Sequence, residues 1–214
     1  LQWMREHHVF FDGGLGSLLQ AKGLKAGELP ETWNLLHPQE LVEIHKSYLN
    51  AGANVITTNT FGANRLKYPK GGAWELEDLV QAAVENAKKA RREFIEENQR
   101  LEAGKEQGEI SAAGILEPYY IGLDLGPTGK LLKPLGDLEF ERAVELYKEV
   151  IGIGQDAGAD FILIETMSDS LEVKAAVLAA KESCSLPVFA TMAFDGKGKL
   201  LTGGNVETAV ALLE

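Results

Sequence analysis

Gly158-Ala159-Asp160-Phe161-Ile162-Leu163-Ile164-Glu165-Thr166 is the stretch whose reading decides the fold. Its apolar run is short, aromatic and β-branched, and a glycine stands just before it, which reads as a buried strand. The residues ahead of it, Leu138 to Ala157, carry helical spacing, and Gly158 sits where a helix C′ glycine belongs. The same order occurs earlier. Pro38 to Asn50 places Leu41, Ile44, Tyr48 and Leu49 near helical spacing, and Gly52-Ala53 closes it. Asn54-Val55-Ile56-Thr57-Thr58-Asn59-Thr60-Phe61 then follows, rich in β-branched residues. Helix, Gly-Ala-Asn/Asp, strand is the αβ connection of a parallel sheet.

Outward from these two units the alternation continues. Val9-Phe10-Phe11 reads as a first strand ending at Asp12-Gly13-Gly14. Trp74 to Leu101 predicts a long helix with Leu79, Ala82, Ala83, Ala87 and Ala90 on its apolar face, and Glu102 to Gly108 predicts a loop. Tyr119 to Leu125 is the third strand and ends at Gly126-Pro127-Thr128-Gly129. Leu171 to Ser183 is helical, Pro187 to Phe194 is the fifth strand, and Val206 to Leu213 starts a further helix. Five β-α steps predict a parallel sheet, closed as a (β/α)8 barrel or open and doubly wound. Gly13-Gly14-Leu15-Gly16-Ser17 lacks the G-x-G-x-x-G spacing, so a dinucleotide fold is not favoured.

Composition narrows the partners. Hydrophobic residues make up 45% and charged residues 25%, as in ordinary globular domains. A formal net charge of -11 argues against nucleic acid and against anionic membranes, both of which select clustered Lys and Arg. With the single Cys184 no intrachain disulfide can form, which fits a reducing compartment. The first residues, Leu1 to His8, show no basic region followed by an apolar one, and no apolar run approaches membrane-spanning length. A cytoplasmic location is expected.

In parallel α/β folds the chemistry gathers at the C-terminal strand ends. Here those ends are Asp12-Gly13-Gly14, Thr57 to Phe61, Asp124 to Pro127, Glu165-Thr166 and Thr191 to Phe194. Small polar residues with two acids directly after apolar strands suit a small zwitterion. Glu165 can pair with an ammonium group, and backbone N–H groups after Gly13 can hold a carboxylate. Plainer readings stand beside these. Asp12 next to Gly13 also fits simple turn chemistry, Thr57 to Thr60 fits β-propensity, and Gly126 to Gly129 fits a tight turn. His7, His8, His37 and His45 show no ligand spacing, and Cys184 reads as a packed or surface thiol.

Taken together, these strand ends resemble a known family. Phe11-Asp12-Gly13-Gly14-Leu15-Gly16-Ser17 looks like its opening loop. Pro30-Glu31-Thr32-Trp33-Asn34, Pro38 and His45-Lys46-Ser47-Tyr48 look like its first crossover. Thr57-Thr58-Asn59-Thr60-Phe61-Gly62-Ala63-Asn64-Arg65, Gly126-Pro127-Thr128-Gly129 with Pro134-Leu135-Gly136, and Glu165-Thr166-Met167-Ser168-Asp169 complete the match. The family is the homocysteine S-methyltransferase domain. The run Gly126 to Asp137 is most similar to the N-terminal module of the cobalamin-dependent methionine synthases, and less similar to betaine or S-methylmethionine enzymes.

The resemblance implies a (β/α)8 TIM barrel with homocysteine at its top face. Residues 1–214 would be its N-terminal portion, about the first five βα units. It implies Glu165 on the substrate ammonium, backbone amides near Gly14 and Leu15 on the carboxylate, and Asp12, Gly13, Asn59 and Thr60 around the pocket. It also implies Zn²⁺ on three cysteine thiolates, with the homocysteine sulfur as fourth ligand and nucleophile, and a methyl group delivered from cobalamin and folate modules of the same polypeptide. Those cysteines belong to the sixth and eighth strands, and Cys184 precedes the fifth. The segment is therefore expected to hold the amino-acid pocket and no metal ligand or catalytic group, and to be inactive alone. It is expected to continue into a longer chain or to self-associate through open sheet edges. Two other readings stay open: a binding-only amino-acid module, and an unrelated barrel enzyme such as an aldolase, which would want a strand-end lysine that these strands lack.

Overall fold

The computed structural model describes residues 2–103 and 118–214. Among them a parallel sheet runs in the order β1 (Val55–Thr57), β2 (Tyr120–Leu125), β3 (Phe161–Met167), β4 (Val188–Met192). Every neighbouring pair is parallel, and sequence order equals spatial order. A doubly wound sheet reverses its order at a switch point. The described strands show no such reversal and form one four-stranded parallel sheet.

The crossovers are α4 (Pro38–Asn50) before β1, α5 (Leu76–Ala103) before β2, α6 (Phe140–Ala157) before β3 and α7 (Ser170–Ser183) before β4. α8 (Val206–Leu213) follows. Short α1 (Gln2–Glu6), α2 (Leu15–Ala21) and α3 (Trp33–Leu36) were not expected, because a helix of one or two turns leaves too little periodicity to read. α5 extends through Ala103, so 102 and 103 of the predicted 102–108 loop are helical, and its residues from 104 onward lie outside the described ones.

The Gly-Ala-Asn/Asp signature works as read. Gly52 and Gly158 have φ of 101° and 95°, the left-handed region where a Cβ is strained. Ala53 N–H and Ala159 N–H then donate to the Tyr48 and Gly154 carbonyls, closing both helices in the same way. Asp160 adds an acceptor for Ile121 N–H at 2.7 Å and an ion pair with Arg91 at 2.7 Å, tying the α6–β3 turn to β2 and α5.

The sheet's two faces divide the labour. Ile56, Ile121, Leu123, Leu125, Ile162 and Ile164 point outward and are fully or almost fully buried, packed beneath the helices. α6 covers them with Val144, Tyr147, Val150 and Ile151, and α7 with Val173, Ala176 and Ala180. Each fully buried Leu, Ile or Val is worth about 1.5–3 kcal/mol. The opposite face carries Val55, Phe161 and Leu163, with Met4, Val9, Tyr120 and Phe189 packed on them.

One expectation needs correcting. The first of the five strands, Val9 to Phe11, is reduced to a single parallel bridge from Phe11 to Val55. The Phe10 carbonyl accepts the Asn54 and Val55 N–H groups, and Asp12 N–H donates to Val55. The ladder stops there because the next donor, Thr57 N–H, turns to the Asp12 side chain.

Candidate functional site

Strand parity builds the site. On the inner face Val55 is followed by Thr57, Gly122 by Asp124, and Leu163 by Glu165. Thr57 stands in register with Gly122, and Asp124 with Leu163. The lower part of this face is filled by Phe161, whose ring lies where a Gly122 Cβ would be, 2.7 Å away. Above it the polar residues surround a cavity of about 520 Å³. Its wall includes Asp12, Gly13, Gly14, Leu15, Asn59 and Glu165, six of the seven residues expected from the sequence.

Asp12 is held by β1. Its carboxylate accepts Thr57 N–H at 2.7 Å and the Thr57 hydroxyl at 3.1 and 3.2 Å. Burial outweighs these bonds and, with the nearby Glu165 charge, pushes the Asp12 carboxyl up to about 7. Gly13, Gly14, Leu15 and Gly16 follow it along the rim. The Gly14 carbonyl accepts the Ser17 and Tyr48 hydroxyls, and α2 starts without a side-chain cap.

Thr60, the seventh expected residue, lies behind the wall. It is 1% exposed, and its hydroxyl donates to the Asp124 carbonyl at 2.7 Å. Its neighbour Thr58 shares a hydroxyl contact of 2.7 Å with it and accepts Asp124 N–H at 3.1 Å. The two threonines therefore pin the Asp124 backbone from both sides. Asp124 lines the cavity, is 6% exposed, and has an Oδ1 without a hydrogen-bond partner. Burial, then the charges of Glu165, Asp12 and Glu31, hold its carboxyl well above the usual carboxylate range.

Glu165 is half-buried on the wall, and burial raises its carboxyl. The residue after it, Thr166, has φ 57°, uncommon for a β-branched side chain, and the β3–β4 register shifts at this point. Thr166 N–H donates to the Thr191 hydroxyl at 2.9 Å, which anchors the irregular backbone to β4.

Asn59 joins the site to the first crossover. Its amide donates to the Pro30 carbonyl at 2.8 Å and to Asn34 Oδ1 at 3.0 Å, while Asn34 donates back to the Asn59 carbonyl at 2.9 Å. This draws the 3-10 turn Pro30–Thr32 over the cavity and brings in Glu31. Glu31 is 3% exposed and accepts Gly62 N–H and the Tyr68 hydroxyl, both at 2.7 Å. Lys67 also lines the cavity. Glu31, Lys67 and Asp124 were not singled out as site residues from the sequence. For Asp124 the signal was present, since it shares β2 parity with Gly122.

The Gly126 to Gly129 motif is structural. Thr128 donates its N–H and hydroxyl to buried Glu172 at 2.7 and 2.6 Å, and Tyr147 donates to the same oxygen at 3.2 Å. Asp169 caps α7 by accepting Leu171 N–H at 2.8 Å. None of the four histidines lines the cavity. Cys184 stands at the far end of α7, after its last turn. Among the described residues no group of three or more His, Cys, Asp or Glu is arranged to hold a metal ion, so they do not fit a zinc site. No helix among them is long and apolar enough to cross a membrane.

Comparison with known proteins follows the same outline. Residues 9–214 match the family model described as homocysteine S-methyltransferase. The methionine synthase of Mycobacterium tuberculosis (strain ATCC 25618 / H37Rv) is 29% identical over 214 residues, covering 95% of this chain and 16% of that protein. The methionine synthase of Mycobacterium leprae (strain TN) is 27% identical over 225 residues, covering 100% of this chain and 17% of that protein. The chain thus spans about a sixth of the length of these curated relatives. Among solved structures, the metallated form of the homocysteine methyltransferase MmuM from Escherichia coli superposes with a TM-score of 0.80 at 20% identity, covering 99% of this chain and 72% of that one. Its oxidized form gives 0.80 at 19% identity, covering 98% and 70%. This likeness shows a shared fold.

Proposed function

We propose, from the premise that the chain belongs to the homocysteine S-methyltransferase family, that its cavity binds homocysteine by the amino-acid end. The observation that carries this reading is the convergence of Asp12, the Gly13–Leu15 turn and Glu165 on one cavity at the inner strand ends. In this proposal Glu165 faces the ammonium, and the N–H groups of Gly14 and Leu15 face the carboxylate. Asp12 and Asn59 shape the wall, and Thr60 keeps β2 in place behind it. An ammonium beside carboxyls that burial has raised gains a charge-assisted hydrogen bond and relieves their mutual repulsion.

The sheet is then a segment of a closed (β/α)8 barrel, and the larger protein methylates homocysteine to methionine. Zinc, when bound, would keep the sulfur as a thiolate. The described residues do not fit that role, so metal ligation and delivery of the methyl group from cobalamin and folate fall to other parts of the protein. The names of the two mycobacterial relatives favour the methionine synthase type.

Titration calorimetry of the protein with L-homocysteine tests the reading. Saturable one-to-one binding is expected. Absence of heat and of competition at millimolar ligand would overturn it.

A further inference from the structure

We propose that Asp124 is a specificity-determining residue of the cavity, accepting a hydrogen bond alongside Glu165 from the primary ammonium of the bound amino acid. The inference rests on the homocysteine reading above and deepens it.

Acceptor capacity around the cavity is unevenly used. The Glu31 oxygens are taken by Gly62 N–H and the Tyr68 hydroxyl, and those of Asp12 by Thr57. Glu165 has no hydrogen-bond partner among the described residues, and Asp124 Oδ1 is buried and unpartnered. A buried carboxyl oxygen without a donor is costly and rare in native structures. Here it is held in place, because the Thr58 and Thr60 hydroxyls fix the Asp124 backbone at N–H and C=O.

The register sets the geometry. Asp124 pairs with Leu163, and Glu165 is the next inner-face residue along β3. The two open carboxyls are thus diagonal neighbours on adjacent strands. An alkylammonium offers three N–H donors in a compact head, enough to serve both. Asp12 and Glu31 add negative charge from the sides, and among the described residues that line the cavity Lys67 is the one cation. Because burial first, and then the neighbouring charges of Glu165, Asp12 and Glu31, favour protonated Asp124 in the empty cavity, an incoming ammonium displaces that proton to solvent.

The test compares L-homocysteine with 4-mercaptobutyrate, which lacks only the ammonium, by calorimetry in buffers of different ionisation enthalpy. Asp124→Asn should weaken L-homocysteine binding about ten- to hundredfold, the range of one charge-assisted hydrogen bond. It should leave 4-mercaptobutyrate within about twofold, and reduce proton release on L-homocysteine binding. Asp124→Ser, checked for folding by circular dichroism, should do the same if the Asn form folds poorly. An unchanged selectivity ratio in a folded variant overturns the inference while the homocysteine reading stands. Failure of the unsubstituted protein to bind L-homocysteine overturns that reading, and the inference falls with it.

Discussion

The Asp12 carboxylate accepts the Thr57 backbone N–H at 2.7 Å, taking with a side chain the ladder position that a backbone carbonyl of the first strand would fill. That one bond ends the first strand, turns the chain into Gly13-Gly14, and fixes a carboxyl at the cavity rim. Asp12→Ala leaves the Thr57 N–H without this partner and should destabilise the fold by about 1–3 kcal/mol. Asp12→Asn keeps an amide acceptor and should cost less. Urea unfolding of both variants measures this, and equal midpoints would show the bond to be dispensable.

Glu165→Gln keeps the shape of the cavity wall and removes its half-buried charge. If Glu165 holds the ammonium, the affinity for L-homocysteine should fall by about 1.5–3 kcal/mol, the usual worth of a hydrogen bond to a charged group. The unfolding midpoint should barely change, because the carboxylate has no hydrogen-bond partner to lose among the described residues. Calorimetry decides it, and unchanged affinity would remove Glu165 from the ammonium site.

Glu31 tests the contribution of the first crossover. Tyr68→Phe removes the donor to one Glu31 oxygen and leaves a nearly inaccessible carboxylate partly unsatisfied. A cost of about 1–3 kcal/mol in stability is expected, without loss of the α/β fold. Thermal unfolding followed by far-ultraviolet circular dichroism measures it, and no shift would mean that Glu31 finds another donor.

What was legible in the sequence follows the local physics. α4 and α8 were readable to the residue, and β2, α7 and the start of β3 to within a position or so, because periodicity and the Gly-Ala-Asn/Asp stop are local signals. Asp12 and Glu165 were legible as cavity-lining acids because each directly follows an apolar run at a strand end. Glu31 was hidden in a short 3-10 turn that long-range bonds hold at the cavity, from Asn59 to Pro30 and Asn34 and from Gly62 and Tyr68 to Glu31 itself. Thr60 shows the opposite failure. It lies in the polar strand-end run, yet its side chain turns to the Asp124 carbonyl, and sequence position alone does not distinguish wall from backing. The first strand was overcounted because its apolar run is real, while a side chain interrupts its ladder.

Gly122 marks where the inner face changes from apolar packing to polar cavity. A Cβ there would meet the Phe161 ring at 2.7 Å. Gly122→Ala should therefore cost about 1–3 kcal/mol through overpacking. Phe161→Leu in the same chain should recover part of that cost, giving a favourable coupling in a double-mutant cycle. Additive effects would show that the ring moves aside freely.

The cavity also makes a signed prediction about pH. Asp124 is faced by Asp12 across the rim, Glu165 on β3 and Glu31 above, with Lys67 as the cation on the wall. Its carboxyl is raised by burial first and by those charges second, so the folded protein holds a proton there that the unfolded chain releases near 3.8. A raised carboxyl contributes stability that is complete below the unfolded value and is lost as pH climbs through the folded one. Asp12, raised to about 7, adds to the same trend. Asp124→Asn cannot ionise. Relative to the unsubstituted protein, its ligand-free melting temperature should therefore rise as pH climbs above the unfolded value near 3.8, because only the unsubstituted protein loses stability there. L-Homocysteine should reverse the comparison at the upper end, because the ammonium stabilises the ionised Asp124 that the variant lacks. A melting difference that stays flat with pH would mean that Asp124 ionises as easily when folded as when unfolded.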